Sequence, residues 1–325
     1  MKSVTTAMAS LLQLAMIQAV MYASVSTGSA TGSTNPAIFF SKIEGNLTKI
    51  VWAHAVNSQA ELDKALGSDD IMMLEADVVL GKLNGTMNDS EIPIMAHPPA
   101  NESDLSLEHF LKSVIEKNAT KGIKLDFKSI EAFTASKTIL DKVRNDTKFP
   151  VFLNADILPG PVNATTVAVD AKAFLSQAKM YPECTVSVGW TTRYGTKENI
   201  TEGRYTEKQV HEMIDALKEQ RVNQPITYPV RAGLAANDIN AIKSLMEKSS
   251  GMSNVTLTVW SSEGDKVDAA QLSTLINDIG VRKVYVDVPR DLMMRLNLSG
   301  ASSVSVASMT VVQSLLIAVF LTTLL

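Results

Sequence analysis

Four short stretches of the chain contain residue types that do chemistry, at spacings that would bring them together. His54 closes Ile50-Val51-Trp52-Ala53; Glu75 and Asp77 stand two apart in Leu74-Glu75-Ala76-Asp77; Pro93-Ile94-Met95-Ala96 leads into His97; and Lys124, Asp126 and Lys128 alternate with Leu125 and Phe127. A spacing of two puts side chains on one side of an extended strand. Two carboxylates on one face in apolar company are costly unless they share a cation. With Asp126 they make three oxygen donors, which suit a hard divalent ion, Mg²⁺ or Ca²⁺. His54 and His97 would then move protons near neutral pH, and Lys124 or Lys128 would offset anionic charge. Trp190 and Trp260 end strand-like runs, where they would wall a pocket or fill the core. His109 and His211 fall inside amphipathic helical segments and read as structural, and Cys184, ahead of Thr-Val-Ser-Val, reads as a buried strand thiol.

The elements that must position these groups follow from the pattern around them. Nine β-rich runs recur between residues 50 and 288, and the segments between them have helical character: 58–67, 106–117, 129–144, 167–180, 206–219, 236–249 and 268–279. Ser58 with Glu61 three later is a capping box, and Thr206 precedes Glu207 as a second N-cap. Strands alternating with helices of this length predict βα units on a parallel sheet. About eight units in about 250 residues is the size of a (β/α)8 TIM-type barrel, with one extra strand or hairpin near 78–96. The alternative, a doubly wound open sheet, lacks support because neither G-x-G-x-x-G nor a phosphate loop is present. In a barrel, polar residues at the C-terminal ends of different strands converge, which is where the His, Glu, Asp and Lys stretches fall.

The same segments, together with Ala55-Val56-Asn57-Ser58, Pro98-Pro99, Asn154, Gly189-Trp190 and Arg231, resemble the menorin family of secreted or membrane-tethered proteins over roughly residues 45 to 290. That family is similar to the glycerophosphodiester phosphodiesterases and related phospholipase-like barrels. The resemblance implies His54 and His97 as the catalytic pair, Glu75, Asp77 and Asp126 as metal ligands, Lys128 as the active-site lysine, and Asn154, Trp190 and Arg231 around a substrate pocket, which Trp260, by its place at a strand end, would join. It also implies two departures. Ala55-Val56 replace the Arg-Gly that follows the first histidine of the phosphodiesterases, and Pro98 replaces the Asp after the second. Substrate phosphate would need another cation, Lys124 or Arg231. The expected activity is metal-dependent phosphodiester hydrolysis on glycerophosphodiester or lysophospholipid-type substrates. The competing expectation is a non-catalytic recognition or adhesion protein with extracellular protein partners that uses the barrel as a scaffold.

The ends of the chain read differently from its middle. Of 64 Asp, Glu, Lys and Arg residues, only Lys2 precedes Lys42 and none follows Arg295. Residues 1–30 have the three-part pattern of a secretory signal peptide. Residues 296–325 combine small residues, a spacer and an apolar tail without basic residues behind it, the arrangement of a GPI attachment signal at Ser299, Gly300 or Ala301. The alternative is a single transmembrane anchor, for which the tail is short. Residues 42–295 remain as one domain. Ten of 17 Asn begin an N-x-Ser/Thr triplet: Asn46, Asn84, Asn88, Asn101, Asn118, Asn145, Asn163, Asn199, Asn254 and Asn297. This excess predicts a glycan-coated protein at the cell surface, held to the membrane by a lipid anchor. A net charge of −4 with no basic patch argues against nucleic acid as a partner.

Overall fold

The structure is a computed structural model and describes residues 34–85, 90–117 and 120–298. Within them, eight parallel strands alternate with helices in the order β1 (Trp52–Ala53), α1 (Gln59–Gly67), β2 (Met73–Leu83), then β3 (Ile92–Met95), β4 (Glu102–Ser103) and α2 (Leu107–Glu116). The chain continues through β5 (Gly122–Phe127), α3 (Ile130–Val143), β6 (Val151–Pro159), α4 (Ala171–Ala178), β7 (Thr185–Thr191), α5 (Glu207–Glu219) and β8 (Ile226–Arg231). It ends with α6 (Ile239–Lys248), β9 (Val255–Trp260), α7 (Ala269–Ile279), β10 (Val284–Asp287) and α8 (Arg290–Arg295). The sheet order is β1-β2-β5-β6-β7-β8-β9-β10. This is the expected TIM-type barrel, nearly closed. The expected hairpin near 78–96 is the antiparallel β2–β3 pair, with Val78 opposite Met95 and Gly81 opposite Ile92.

Strand alternation divides the side chains between two faces. Leu74, Ala76, Ile123, Leu125, Leu153, Val186, Val188, Val230, Leu257 and Val259 point outward and join one buried cluster with Phe110, Phe133, Phe174 and Leu272 of the surrounding helices. The opposite face of each strand carries the polar residues, and the parallel registers set them level: Asp77 beside Asp126, Asp126 beside Asn154, Asn154 beside Ser187, Ser187 beside Thr227. No strand pairing joins β10 to β1 among the described residues. Side chains close that seam instead: Trp52, Phe152 and Tyr285 meet edge to face with centroids 5.4–6.2 Å apart.

Side-chain caps set the helix starts. Ser58, Ser106, Ser129, Asp170, Thr206 and Asp268 each accept a hydrogen bond from a backbone N–H of the first turn. Two expected boundaries shift. The helix expected from residue 167 begins at Ala171, because Asp170 is its cap, and residues 160–170 become a loop over the strand ends. The helix expected from 236 begins at Ile239, where Asp238 caps it, after a separate short helix at Ala232–Asn237. At Ser58 the Glu61 carboxylate accepts from Asn57 N–H, one residue earlier than in a regular capping box, whereas Thr206 and Gln209 form the complete reciprocal box.

Candidate functional site

A pocket of about 470 Å³ opens at the C-terminal ends of the strands. Its lining includes His54 after β1, Glu75 and Asp77 of β2, His97 after β3, and Lys124, Asp126 and Lys128 on and just after β5. Asn154, Arg231 and Trp260 complete the group of expected residues that the fold brings together. The period-two rule that selected them places them inward because their neighbours, such as Ala76, Leu125 and Phe127, belong to the outer core.

Hydrogen bonds tie the acidic corner into one network. Asn57 donates Nδ2 to Asp77 Oδ2 at 2.8 Å and accepts from Asp77 N–H at 2.9 Å. The Ala55 N–H donates to Glu75 Oε2 at 2.9 Å. Lys128 Nζ donates to Asp77 Oδ1 at 2.7 Å and also to Asp126 Oδ2. Asn154 donates to Asp126 Oδ1 at 2.6 Å and accepts from Ser187 Oγ. Oxygen atoms of Glu75, Asp77 and Asp126 lie within 4.8 Å of one another.

Burial and mutual charge shift the titration of this corner. Burial raises the Glu75 carboxyl above the usual range, with Asp77 and Asp126 adding to the rise and His54 opposing it. Burial also works against the Asp126 charge, but Lys128, Lys124 and the bond from Asn154 outweigh it and hold this carboxyl down at about 2. Lys128, desolvated yet facing Asp126, Asp77 and Glu75, is held well above its ordinary value. His54 is raised from 6.5 to about 9, first by the Glu75 charge, against the cost of burial, and then by Asp287. Its Nδ1 lies 2.9 Å from Asp287 Oδ2 and 3.5 Å from Glu75 Oε2, and Nε2 makes no hydrogen bond to a described residue.

Two expected pocket residues behave differently from expectation. Trp190 does not line the pocket: it is 2% exposed on the outer face of β7 and packs against Tyr205 and Tyr228 at 5.3 and 6.5 Å. It ends a strand, but in outward phase, since Ser187 and Thr191 take the inward positions. Arg231 reaches the pocket with its charge already matched. Its guanidinium donates Nε and Nη2 to the two Asp265 oxygens at 2.8 and 2.9 Å and lies over the Tyr194 and Trp260 rings at 5.6 and 5.1 Å. Only Nη1, 3.3 Å from Thr192 Oγ1, is turned elsewhere. Lys128 is matched in the same way by Asp77 and Asp126, so Lys124 remains as the pocket cation that could meet phosphate. His97 sits at the lip, exposed, with Nδ1 2.7 Å from the Pro98 carbonyl.

The structure adds Asn57, Asp156, Asp265 and Asp287. Asp287 stands two after Tyr285 at a strand end and Asp156 two after Asn154, so the same period-two rule could have found both. Asp156 escaped because β6 runs five residues beyond Asn154. Asp265 lies in a loop and carries no sequence signal.

The menorin N-terminal domain family matches residues 46–293. The chain belongs to the menorin family. This menorin chain is 38% identical over 241 residues to Protein FAM151B of Homo sapiens, a stretch covering 74% of this chain and 82% of that protein. Among solved structures, the menorin chain is similar to the Ignisphaera aggregans GH53 catalytic domain (10% identity, TM-score 0.41, covering 75% of this chain and 84% of that one). It is also similar to the GH26 domain of an endo-beta-mannanase/endo-beta-glucanase from Prevotella bryantii (9% identity, TM-score 0.43, covering 81% and 92%).

Of the expected glycosylation sites, Asn84, Asn101, Asn145, Asn163, Asn199, Asn254 and Asn297 are exposed, and Asn46 is half-buried, capping a short helical turn. Asn88, Asn118, Ser299, Gly300, Ala301 and the two apolar ends lie outside the described residues. No helix among the described residues is long and apolar enough to cross a membrane.

Proposed function

We propose that this menorin chain is a cell-surface glycoprotein whose barrel mouth binds a divalent cation and hydrolyses phosphodiesters of the glycerophosphodiester or lysophospholipid type. The observation that carries this reading is the approach of Glu75, Asp77 and Asp126 to within 4.8 Å in a pocket that also holds His54 and two lysines. An all-oxygen donor set of net negative charge fits Mg²⁺ or Ca²⁺ and fits a soft metal poorly. Once bound, such an ion polarises a phosphoryl oxygen. The chain's own residues do the rest. Lys124 meets the phosphoryl charge in place of the missing arginine, while Lys128 holds Asp77 and Asp126 in place. His54, held at Nδ1 by Asp287, presents Nε2 for proton transfer with the leaving alcohol. His97, at the lip, is the second proton carrier.

The test is turnover of glycerophosphodiesters and lysophospholipids by the purified protein with Mg²⁺ or Ca²⁺. Hydrolysis that falls about 100-fold or more in His54→Ala supports the reading; absence of any turnover overturns it. The missing Arg-Gly after His54 favours a second reading, a recognition module with an extracellular protein partner. That reading requires partner binding to survive the Glu75→Ala/Asp77→Ala double change. For localisation, we expect N-glycosidase to lower the apparent mass and phosphatidylinositol-specific phospholipase to release the protein from cells; retention after the phospholipase would favour a transmembrane anchor.

A further inference from the structure

The β6–β9 side of the pocket is chemically unlike the acidic corner, and resting on the hydrolase reading above, it bears on what the substrate carries besides phosphate. We propose that Asp156, Thr191, Thr192, Arg231, Trp260 and Ser262 form a subsite for an uncharged, hydroxyl-rich alcohol, such as a polyol or sugar, on one side of the diester. All six line the pocket. Thr191 is 4% exposed and its Oγ1 is a buried oxygen without a hydrogen-bond partner among the described residues, an orphan in the wall of a binding cavity. The Asp156 carboxyl also makes no hydrogen bond to a described residue. It has room because residue 189 is glycine: a methyl group there would stand 2.7 Å from Asp156 Oδ1. These groups offer acceptors and two-way hydroxyls, which is what a ring or chain of hydroxyls requires.

Other ligand classes meet specific obstacles. A second anionic group would face Asp156 while the Arg231 charge is spent on Asp265. An acyl chain would leave the Thr191 hydroxyl unpartnered and cover the Asp156 carboxyl without supplying it a hydrogen bond. A quaternary ammonium would seek the Trp260 face, where the guanidinium already sits 5.1 Å from the ring centre.

The test is saturation-transfer NMR of the full chain, purified from expressing cells, with myo-inositol as probe and choline as comparison. Inositol should bind more tightly than choline, and its dissociation constant should rise about tenfold in Asp156→Asn and in the shape-preserving Thr191→Val. Thermal unfolding confirms that each variant is folded. Equal inositol affinity in the folded Asp156→Asn and Thr191→Val variants, or tighter binding of choline, overturns the subsite. Inositol binding with no diester turnover under any cation overturns the hydrolase reading and leaves the subsite standing.

Discussion

A single side chain, His54, holds together the first and last strands of the barrel and the acid corner between them. Its ring lies between Glu75 and Asp287, and both carboxylates favour the charged imidazolium. In metal-free protein we expect its NMR titration midpoint at about 9, falling both in Glu75→Gln and in Asp287→Asn. The raised value also fixes the sign of the linked stability: the contribution is complete below the unfolded value of 6.5 and is lost as pH rises through about 9. Because the side chain is 48% exposed, solvent screens the pair, and denaturant midpoints should drop only slightly across that interval. Next to it, Ala55 adopts φ 55°, in the left-handed region that favours glycine, where its N–H reaches Glu75. Ala55→Gly relieves a backbone cost of roughly 1–2 kcal/mol and adds unfolded-state entropy of about 0.4–1 kcal/mol. Urea unfolding should therefore show a gain of about 0.5–1 kcal/mol. A loss in that measurement would mean that the conformation is not strained.

At the level of strands and helices, what the sequence made legible was phase, and what it hid was extent. Glu75, Asp77, Lys124, Asp126 and Lys128 were readable because a period of two beside apolar neighbours admits one orientation. Trp190 was not, since an aromatic residue at a strand end suits either face and only the inward positions of Ser187 and Thr191 decide it. Asp156 was hidden by the length of β6, and the pairing of Asp287 with His54 by their separation of 233 residues along the chain. Gly189 shows how closely β6, β7 and β8 are fitted. A Cβ there would lie 2.7 Å from Asp156 Oδ1 and 2.8 Å from a Pro229 ring carbon. Gly189→Ala should cost about 1–3 kcal/mol by overpacking, read from denaturant unfolding. Thr206→Ala, which removes a complete capping box outside the pocket lining, should cost about 1 kcal/mol and leave ligand binding unchanged. Comparable binding losses in both variants would show that the pocket responds to general stability instead of to local fit.

Across the whole molecule, the barrel depends on a seam that backbone pairing does not close. Between β10 and β1, the aromatic trio Trp52, Phe152 and Tyr285 supplies the contact, and His54 with Asp287 supplies the polar join at the mouth. Phe152 is 1% exposed and touches both of the other rings, so Phe152→Ala removes a buried aromatic from a closely packed site. The expected loss is about 3–5 kcal/mol, read from denaturant unfolding. Position matters as well as volume. Phe133 is equally buried, but it packs among Phe127 and Phe174 on the helical side of the sheet. Phe133→Ala should cost a similar amount without loosening the seam. Native-state hydrogen exchange separates the two, because local opening follows local contacts. Amides of β1 and β10 should lose protection beyond the global change in Phe152→Ala and not in Phe133→Ala. With the seam loosened, Asp287 no longer holds the His54 ring, so the His54 midpoint in metal-free Phe152→Ala should fall below about 9. Uniform exchange in both variants would show that the eight strands open as one unit and that the seam is no weaker than the paired edges.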